Sequence, residues 1–293
     1  MNLVLVGVDA LPSLSPHAIE LLDLHIEDDD AESRLLHVVS GEPQLAAKLI
    51  GAANSAAFGL SRVRFGTVPL AIRRLGLRRA AQLCTAALVG QPLEVGVSPV
   101  RRKLLWLHAL TTAVVAADLA RRLGIDPAQA YLAGLLHDIG YMFAELREPG
   151  VLARLEALAA DPGASLEPLE ESVLGASHGE LTGALLAYWG LPEGLSDLHR
   201  HHHRQPPSPP SLSVALSIAE HIAAMPEIAA APGSEHGALF AKLAPPADEV
   251  AGLLDARYSI DPEEFERILA RVRSQVAEIS GLAAAMSASP QRT

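Results

Sequence analysis

Histidine and carboxylate recur through this chain on stretches that are otherwise apolar. His137 and Asp138 stand side by side in Tyr131-Leu-Ala-Gly-Leu-Leu-His-Asp-Ile-Gly140; His108 lies upstream, and His178, His202, His203 and Glu220 follow. An imidazole and a carboxylate at an apolar helix end are costly unless they are paired or share a cation. Together they suit a transition metal such as zinc, iron or manganese. For an isolated His-Asp pair the competing explanation is a hydrogen-bonded core histidine beside a capping aspartate, because most buried polar groups are simply satisfied. The further candidates shift that balance. Each sits on an apolar helix or its end, where a packed α-bundle turns side chains inward, and six or seven donors suit two metal ions better than one.

The elements that must position these groups are helices. Leu132, Leu135, Leu136 and Ile139 fall at the spacing of one buried helical stripe, with His137 and Asp138 in its last turn and Gly140 placed as a left-handed cap. Ser15-Pro16 and Asp126-Pro127 read as N-cap plus proline at the first helical position. Helices are expected from Pro16 to about His25, Asp30 to Ser40, Glu42 to Asn54, Thr67 to Leu77, Ala80 to Val89, and Arg101 to Leu123. Further helices are expected over Val151 to Ala160, Glu167 to Gly190, a short one holding His199 and His201 to His203, then Leu212 to Met225, Asp248 to Ala256 and Pro262 to Gly281. Met1 to Val8 reads as a short strand or packing arm, and Ser287 to Thr293 as a disordered tail. The Pro/Gly-rich stretch from Gln91 to Pro99 is the best internal boundary.

Composition narrows the possibilities. The chain of 293 residues is 49% hydrophobic but only 4% aromatic, which favours helices over strands. No long uncharged apolar run indicates a membrane span. One cysteine, Cys84, excludes an internal disulfide and fits a reducing cytoplasm. A net charge of −11 argues against a broad nucleic-acid-binding surface. The cluster Arg73, Arg74, Arg78 and Arg79 is either a solvated face or a contact for an acidic partner or phosphate.

The chain resembles the HD superfamily of metal-dependent phosphohydrolases, whose signature is a His, a later His-Asp pair and a final acidic residue on successive helices. More closely it is similar to the HDOD branch, the HD-related output domains of bacterial signalling. Glu42 to Ser55 resembles that branch's DPxLxxxLLxxANS segment, with Glu42 for the usual Asp. Ala71 to Gly76 resembles AIxxLG, Trp106-Leu-His108 resembles WxHS with Ala109 for Ser, and Gly134 to Gly140 reads GLLHDIG. His178 with Gly183 to Leu186 and Trp189 to Pro192 resembles HxxxGAxLLxxWxLP, and His202-His203 the closing HH. The resemblance covers residues 11 to 225. Related cyclic-dinucleotide phosphodiesterases carry a Lys after HDIG and a Gly-Tyr-Pro element after HH. Here Tyr141 and Arg204-Gln-Pro-Pro207 stand instead, and the final acidic ligand is Glu220 rather than Asp.

The expected fold is therefore all-α: an N-terminal helical lobe over residues 11–95, an HD-like helical lobe over 96–225, and C-terminal helices with a tail over 226–293. The resemblance implies a divalent metal site of one or two Fe, Mn or Zn ions held by His108, His137, Asp138, His178, His202, His203 and Glu220. It also implies a regulatory or scaffold module of bacterial signalling that acts through other signalling proteins, with a small nucleotide as a candidate ligand; composition and charge set the expectation of a cytoplasmic chain with neither membrane nor nucleic acid as a partner. The alternatives are a metal-dependent phosphodiesterase or phosphohydrolase acting on a nucleotide, with Asp138 in its catalytic centre, and a purely structural bundle. A groove between the lobes, with Asn54, Ser55, Arg73 and Arg74, is the expected partner or ligand surface.

Overall fold

The computed structural model describes residues 11, 13–54, 65–94, 97–161, 163–203, 211–225, 228 and 260–287. Among them every regular element is helical. The strand or arm read at Met1 to Val8, the helix read at Asp248 to Ala256 and the tail after Ser287 lie outside the described residues.

The chain divides into two compact units, one of Leu11 with His108–Val276, the other of Pro12–Leu107 with residues 277–287. The second unit begins with α1 (Pro16–Leu22), whose N-terminus is closed as its sequence dictates: Ser15 Oγ accepts from the Ala18 amide at 3.1 Å. Then follow α2 (Ala31–Gly41), α3 (Pro43–Ala53), α4 (Val68–Leu75) and α5 (Leu77–Gly90). Leu77 starts α5 instead of ending α4, because Gly76 takes φ 83° and turns the chain between them. Leu35, Leu49, Leu75 and Leu83 are fully buried here.

Helix α6 (Pro99–Leu123) is 25 residues long. By length and composition it could cross a membrane, but 78% of its most apolar window is buried inside the protein, which is the pattern of a core helix. The other unit continues with α7 (Pro127–Leu136), α8 (Ile139–Arg147), α9 (Val151–Ala159), α10 (Leu166–Leu174), α11 (His178–Tyr188), α12 (Glu193–Arg200), α13 (Leu212–Ala224) and α14 (Pro262–Ser287). One core of this unit joins Val115 and Leu119 of α6, Ala130 of α7, Ile218 and Ile222 of α13, and Phe265 and Leu269 of α14.

Three expectations about this unit are corrected. The helix read over Glu167 to Gly190 is two. Gly175 ends α10 at φ 80°, and Ser177 restarts the chain with a capping box, its Oγ accepting from Glu180 N while Glu180 accepts from Ser177 N. His178 thus stands at the first position of α11, not inside a long helix. Gly140 caps nothing: α7 already ends at Leu136, and Gly140 lies in the first turn of α8 without positive φ. Helix α12 stops at Arg200, so His201, His202 and His203 form a turn.

Candidate metal centre

His108 comes from the middle of α6. Helix α7, capped by Asp126 Oδ1 accepting from Ala128 N at 2.8 Å, packs across it. That crossing needs Gly134: a Cβ there would lie 2.6 Å from Ala113 Cα. The close approach brings the His108 and His137 rings to 5.2 Å. His137 closes α7, and its Nδ1–H donates to Gly134 O at 2.7 Å, which leaves the Nε2 lone pair directed inward. Asp138 opens α8 but makes no capping hydrogen bond. Its Oδ2 instead lies 3.2 Å from His137 Nε2 and 3.6 Å from His108 Nε2, and its Oδ1 lies 3.5 Å from His178 Nε2. The capping-aspartate explanation of this pair therefore fails on geometry.

The corner between α7 and α8 is fixed from α11. Thr182 Oγ1 donates to His137 O at 2.9 Å and accepts from Gly140 N at 3.0 Å. His178 Nδ1–H donates to Glu170 Oε1 at 2.7 Å, and Glu170 Oε2 accepts the His178 amide at 3.2 Å. The Tyr141 hydroxyl also donates to Glu170 Oε1, and its ring stacks on His178 with centroids 4.7 Å apart. His178 Nε2 then faces His202 Nε2 at 3.2 Å and His203 Nε2 at 2.8 Å. His202 Nδ1–H donates to His199 O at 2.6 Å. Glu220, from α13, brings Oε1 to 3.3 Å from His203 Nε2 and Oε2 to 3.9 Å from His202 Nε2. His199 itself spans Leu195 O at 2.7 Å and Ala133 O at 2.9 Å, pinning α12 to α7.

All seven sequence-predicted donors are thus brought together. They form two groups, His108–His137–Asp138 and His178–His202–His203–Glu220, with donor atoms within 4.8 Å of one another inside each. Asp138 presents one oxygen to each group.

The electrostatics fit a cation. His137 Nε2, both Asp138 oxygens and both Glu220 oxygens are buried without a hydrogen-bond partner among the described residues. Such groups are costly unless an ion joins them. Burial pushes the Glu220 carboxyl up to about 7. Burial would raise Asp138 too, but the His137, His178 and His108 imidazoles hold it well below the usual carboxylate range. Burial disfavours a charged His178, yet Glu170 and Asp138 outweigh it and raise the ring to about 9. Burial and the neighbouring imidazoles push His202 well down. The residues fit a divalent transition metal: imidazoles and carboxylates, no thiolate, and donor orientations fixed by backbone carbonyls and Glu170.

A cavity of about 130 Å³, lined by Glu170, His178, Arg200, His202 and His203 among others, opens on the second group. The other predicted site residues are on the Pro12–Leu107 unit. Asn54 ends α3 and clamps the chain: its Nδ2 donates to Ile50 O and Phe65 O, and its Oδ1 accepts Phe65 N, each at 2.8 Å. Arg73 and Arg74 are exposed on α4, with the Arg74 guanidinium 5.9 Å from the Phe65 ring centroid. Ser55 lies outside the described residues.

Glu170, Thr182 and the structural use of Tyr141 and His199 escaped the sequence reading. Glu170 is one of three glutamates in Glu167 to Glu171, and the break at Gly175 turns it toward His178.

Residues 11–205 match the family model of the HDOD domain. An uncharacterized protein of Treponema pallidum (strain Nichols) is 29% identical over 213 residues, 72% of this chain and 41% of that protein. The chain spans less than half the length of the curated relatives it matches. A Shewanella amazonensis SB2B protein provisionally named a phosphohydrolase superposes with a TM-score of 0.63 at 26% identity, over 96% of this chain and 97% of that one. A Marinobacter aquaeolei VT8 protein provisionally named a signal transduction protein superposes with a TM-score of 0.73 at 22% identity, over 95% of this chain and 60% of that one, a likeness of fold.

Proposed function

Because the chain belongs to the HDOD domain family, we propose that it is a regulatory signalling module with a metal-binding histidine–carboxylate centre and no phosphodiesterase activity, acting through contacts with other signalling proteins. The observation that carries this reading is Tyr141. It stands where the related phosphodiesterases place a phosphate-binding Lys, and it is wholly buried, with its hydroxyl donated to Glu170 and its ring on His178. No cationic side chain is available from that position to meet a phosphate.

A bound divalent ion would supply cross-linking of the elements that carry its donors, and Lewis acidity toward any small oxygen ligand that reached it. His108, His137 and Asp138 would hold an ion at one position; His178, His202, His203 and Glu220 would hold one at the other. Each position's ligands come from different helices, so occupancy stabilises one arrangement of α6, α7, α8, α11 and α13, which a partner protein can read.

The paired donor groups favour one second reading, a metal-dependent phosphohydrolase. The two are separated by loading chelator-stripped protein with Mn²⁺, Fe²⁺ or Zn²⁺ and assaying a cyclic dinucleotide, a cyclic mononucleotide and a simple aryl phosphodiester. The regulatory reading expects no turnover above a metal-only blank. Turnover that disappears in Asp138→Ala overturns it.

A further inference from the structure

We infer that the two donor groups are graded: the His178–His202–His203–Glu220 position binds a divalent transition-metal ion first and tightly, with Glu170 as its positioning residue, and the His108–His137–Asp138 position takes a second ion weakly. Occupancy of the second position is then what changes with metal supply, which gives the regulatory module its input. The inference rests on the reading above that this centre binds metal.

Four observations carry it. Besides the Asp138 carboxylate that both share, the first position offers four protein donors and the second two, and four is the number that closes a tetrahedral site. The donors also differ in what holds them. His137 and His202 each donate Nδ1–H to a backbone carbonyl, Gly134 O and His199 O. His178 donates to a carboxylate, 2.7 Å away, which is itself held by the His178 amide at its other oxygen. A carboxylate acceptor makes an imidazole a stronger metal ligand than a neutral carbonyl does. Access differs as well. The cavity opens on His178, His202 and the partly exposed His203, whereas His108, His137 and Asp138 do not line it. Finally, Asp138 lies between the positions, Oδ1 toward His178 and Oδ2 toward His137. A second dication must bind beside the first with one shared carboxylate to offset their repulsion, so its affinity is reduced.

Tyr141 gives the proposal a built-in control. Its hydroxyl shares Glu170 Oε1 with His178 Nδ1. Removing the hydroxyl leaves the whole carboxylate to His178, whereas neutralising Glu170 takes the carboxylate away. The two changes push metal affinity in opposite directions, while a merely structural role would have both weaken it.

The experiment is titration of the full chain, without a His tag and stripped by chelator, with Co²⁺, following visible d–d absorption and equivalents bound. Metal-free melting curves of each variant check folding. Wild type is expected to bind two equivalents with the first at least about tenfold tighter. Glu170→Gln should weaken the first step by about 10–100-fold, the usual effect of losing such a support, and Tyr141→Phe should leave it unchanged or tighter. His108→Ala should remove the second equivalent and spare the first. Two equal steps in wild type, weakening of the first step by Tyr141→Phe to match Glu170→Gln, or loss of the first equivalent in His108→Ala each overturn the grading. If Glu170→Gln does not fold, the wild-type steps and His108→Ala still decide. Absence of any Co²⁺ binding overturns both the grading and the metal centre. Graded binding accompanied by phosphodiester turnover keeps the grading and removes the regulatory reading.

Discussion

Asp138 reaches His178 with the oxygen it does not turn toward His137: Oδ1 lies 3.5 Å from His178 Nε2 and Oδ2 3.2 Å from His137 Nε2. One carboxylate between two helices thus belongs to both donor groups. Asp138→Ala is expected to lower bound Mn²⁺, Fe²⁺ or Zn²⁺ per chain below the wild-type content, with the His108–His137 position losing its ion, measured by elemental analysis after equilibration at saturating metal. Metal content equal to wild type would show that neither group depends on the shared carboxylate.

The centre should also make metal stabilisation rise with pH. Glu220 is raised from 4.5 to about 7 in the folded chain, so its contribution to metal-free stability is full below the unfolded value and fades as pH rises through 7. His178 is raised from 6.5 to about 9, so its contribution is full below 6.5 and fades as pH rises through 9. Both make the metal-free protein less stable from about pH 4.5 to 9. Metal binding needs the deprotonated groups and strengthens over the same range. The increase in Tm produced by saturating Zn²⁺ should therefore be larger at pH 8 than at pH 5.5; equal increments at the two pH values contradict the site's electrostatics.

Gly134→Ala probes how α7 is laid on α6. The added Cβ meets the Ala113 backbone, which cannot swing aside as a side chain can. Overpacking of this kind costs about 1–3 kcal/mol, which is a fall in Tm of roughly 2–12 °C for a domain of this size. Metal affinity should fall with it, because His137 moves away from His108. A melting curve within 1 °C of wild type, a margin of about 0.3–0.5 kcal/mol, would mean that the crossing of α7 on α6 does not depend on the missing Cβ.

Asn54→Ala should act on stability alone. It deletes three hydrogen bonds, two between the end of α3 and Phe65 and one back to Ile50 O within the helix. Net losses of about 0.5–1.5 kcal/mol per bond predict a fall of several degrees in Tm with unchanged metal content. Loss of metal from this variant would instead assign Asn54 a part in the centre.

The sequence made much of this architecture legible where a residue type has one physical use. Ser15 and Asp126 announce helix starts because few residues satisfy the free amides there. The donors announce themselves because buried imidazoles and carboxylates are expensive. What stayed hidden depends on pairing across the fold. Gly140 read as a helix end from its place after an apolar stripe, but the chain turns two residues earlier so that Asp138 can point inward. Glu170 looked like any solvated glutamate, and its burial follows from the turn at Gly175 to Ser177, whose capping box is local but whose direction is not.

No helix carries more than a small part of the donor set: His108 sits on α6, His137 and Asp138 at the α7–α8 corner, His178 on α11, His202 and His203 after α12, and Glu220 on α13. Even that corner takes its path from the Thr182 hydroxyl on α11. The centre consequently has no local precursor along the chain and comes into being only when helices more than a hundred residues apart have docked. Metal uptake during refolding would time the last step of assembly, and a nascent chain that has not yet supplied Glu220 is spared premature capture of the ion.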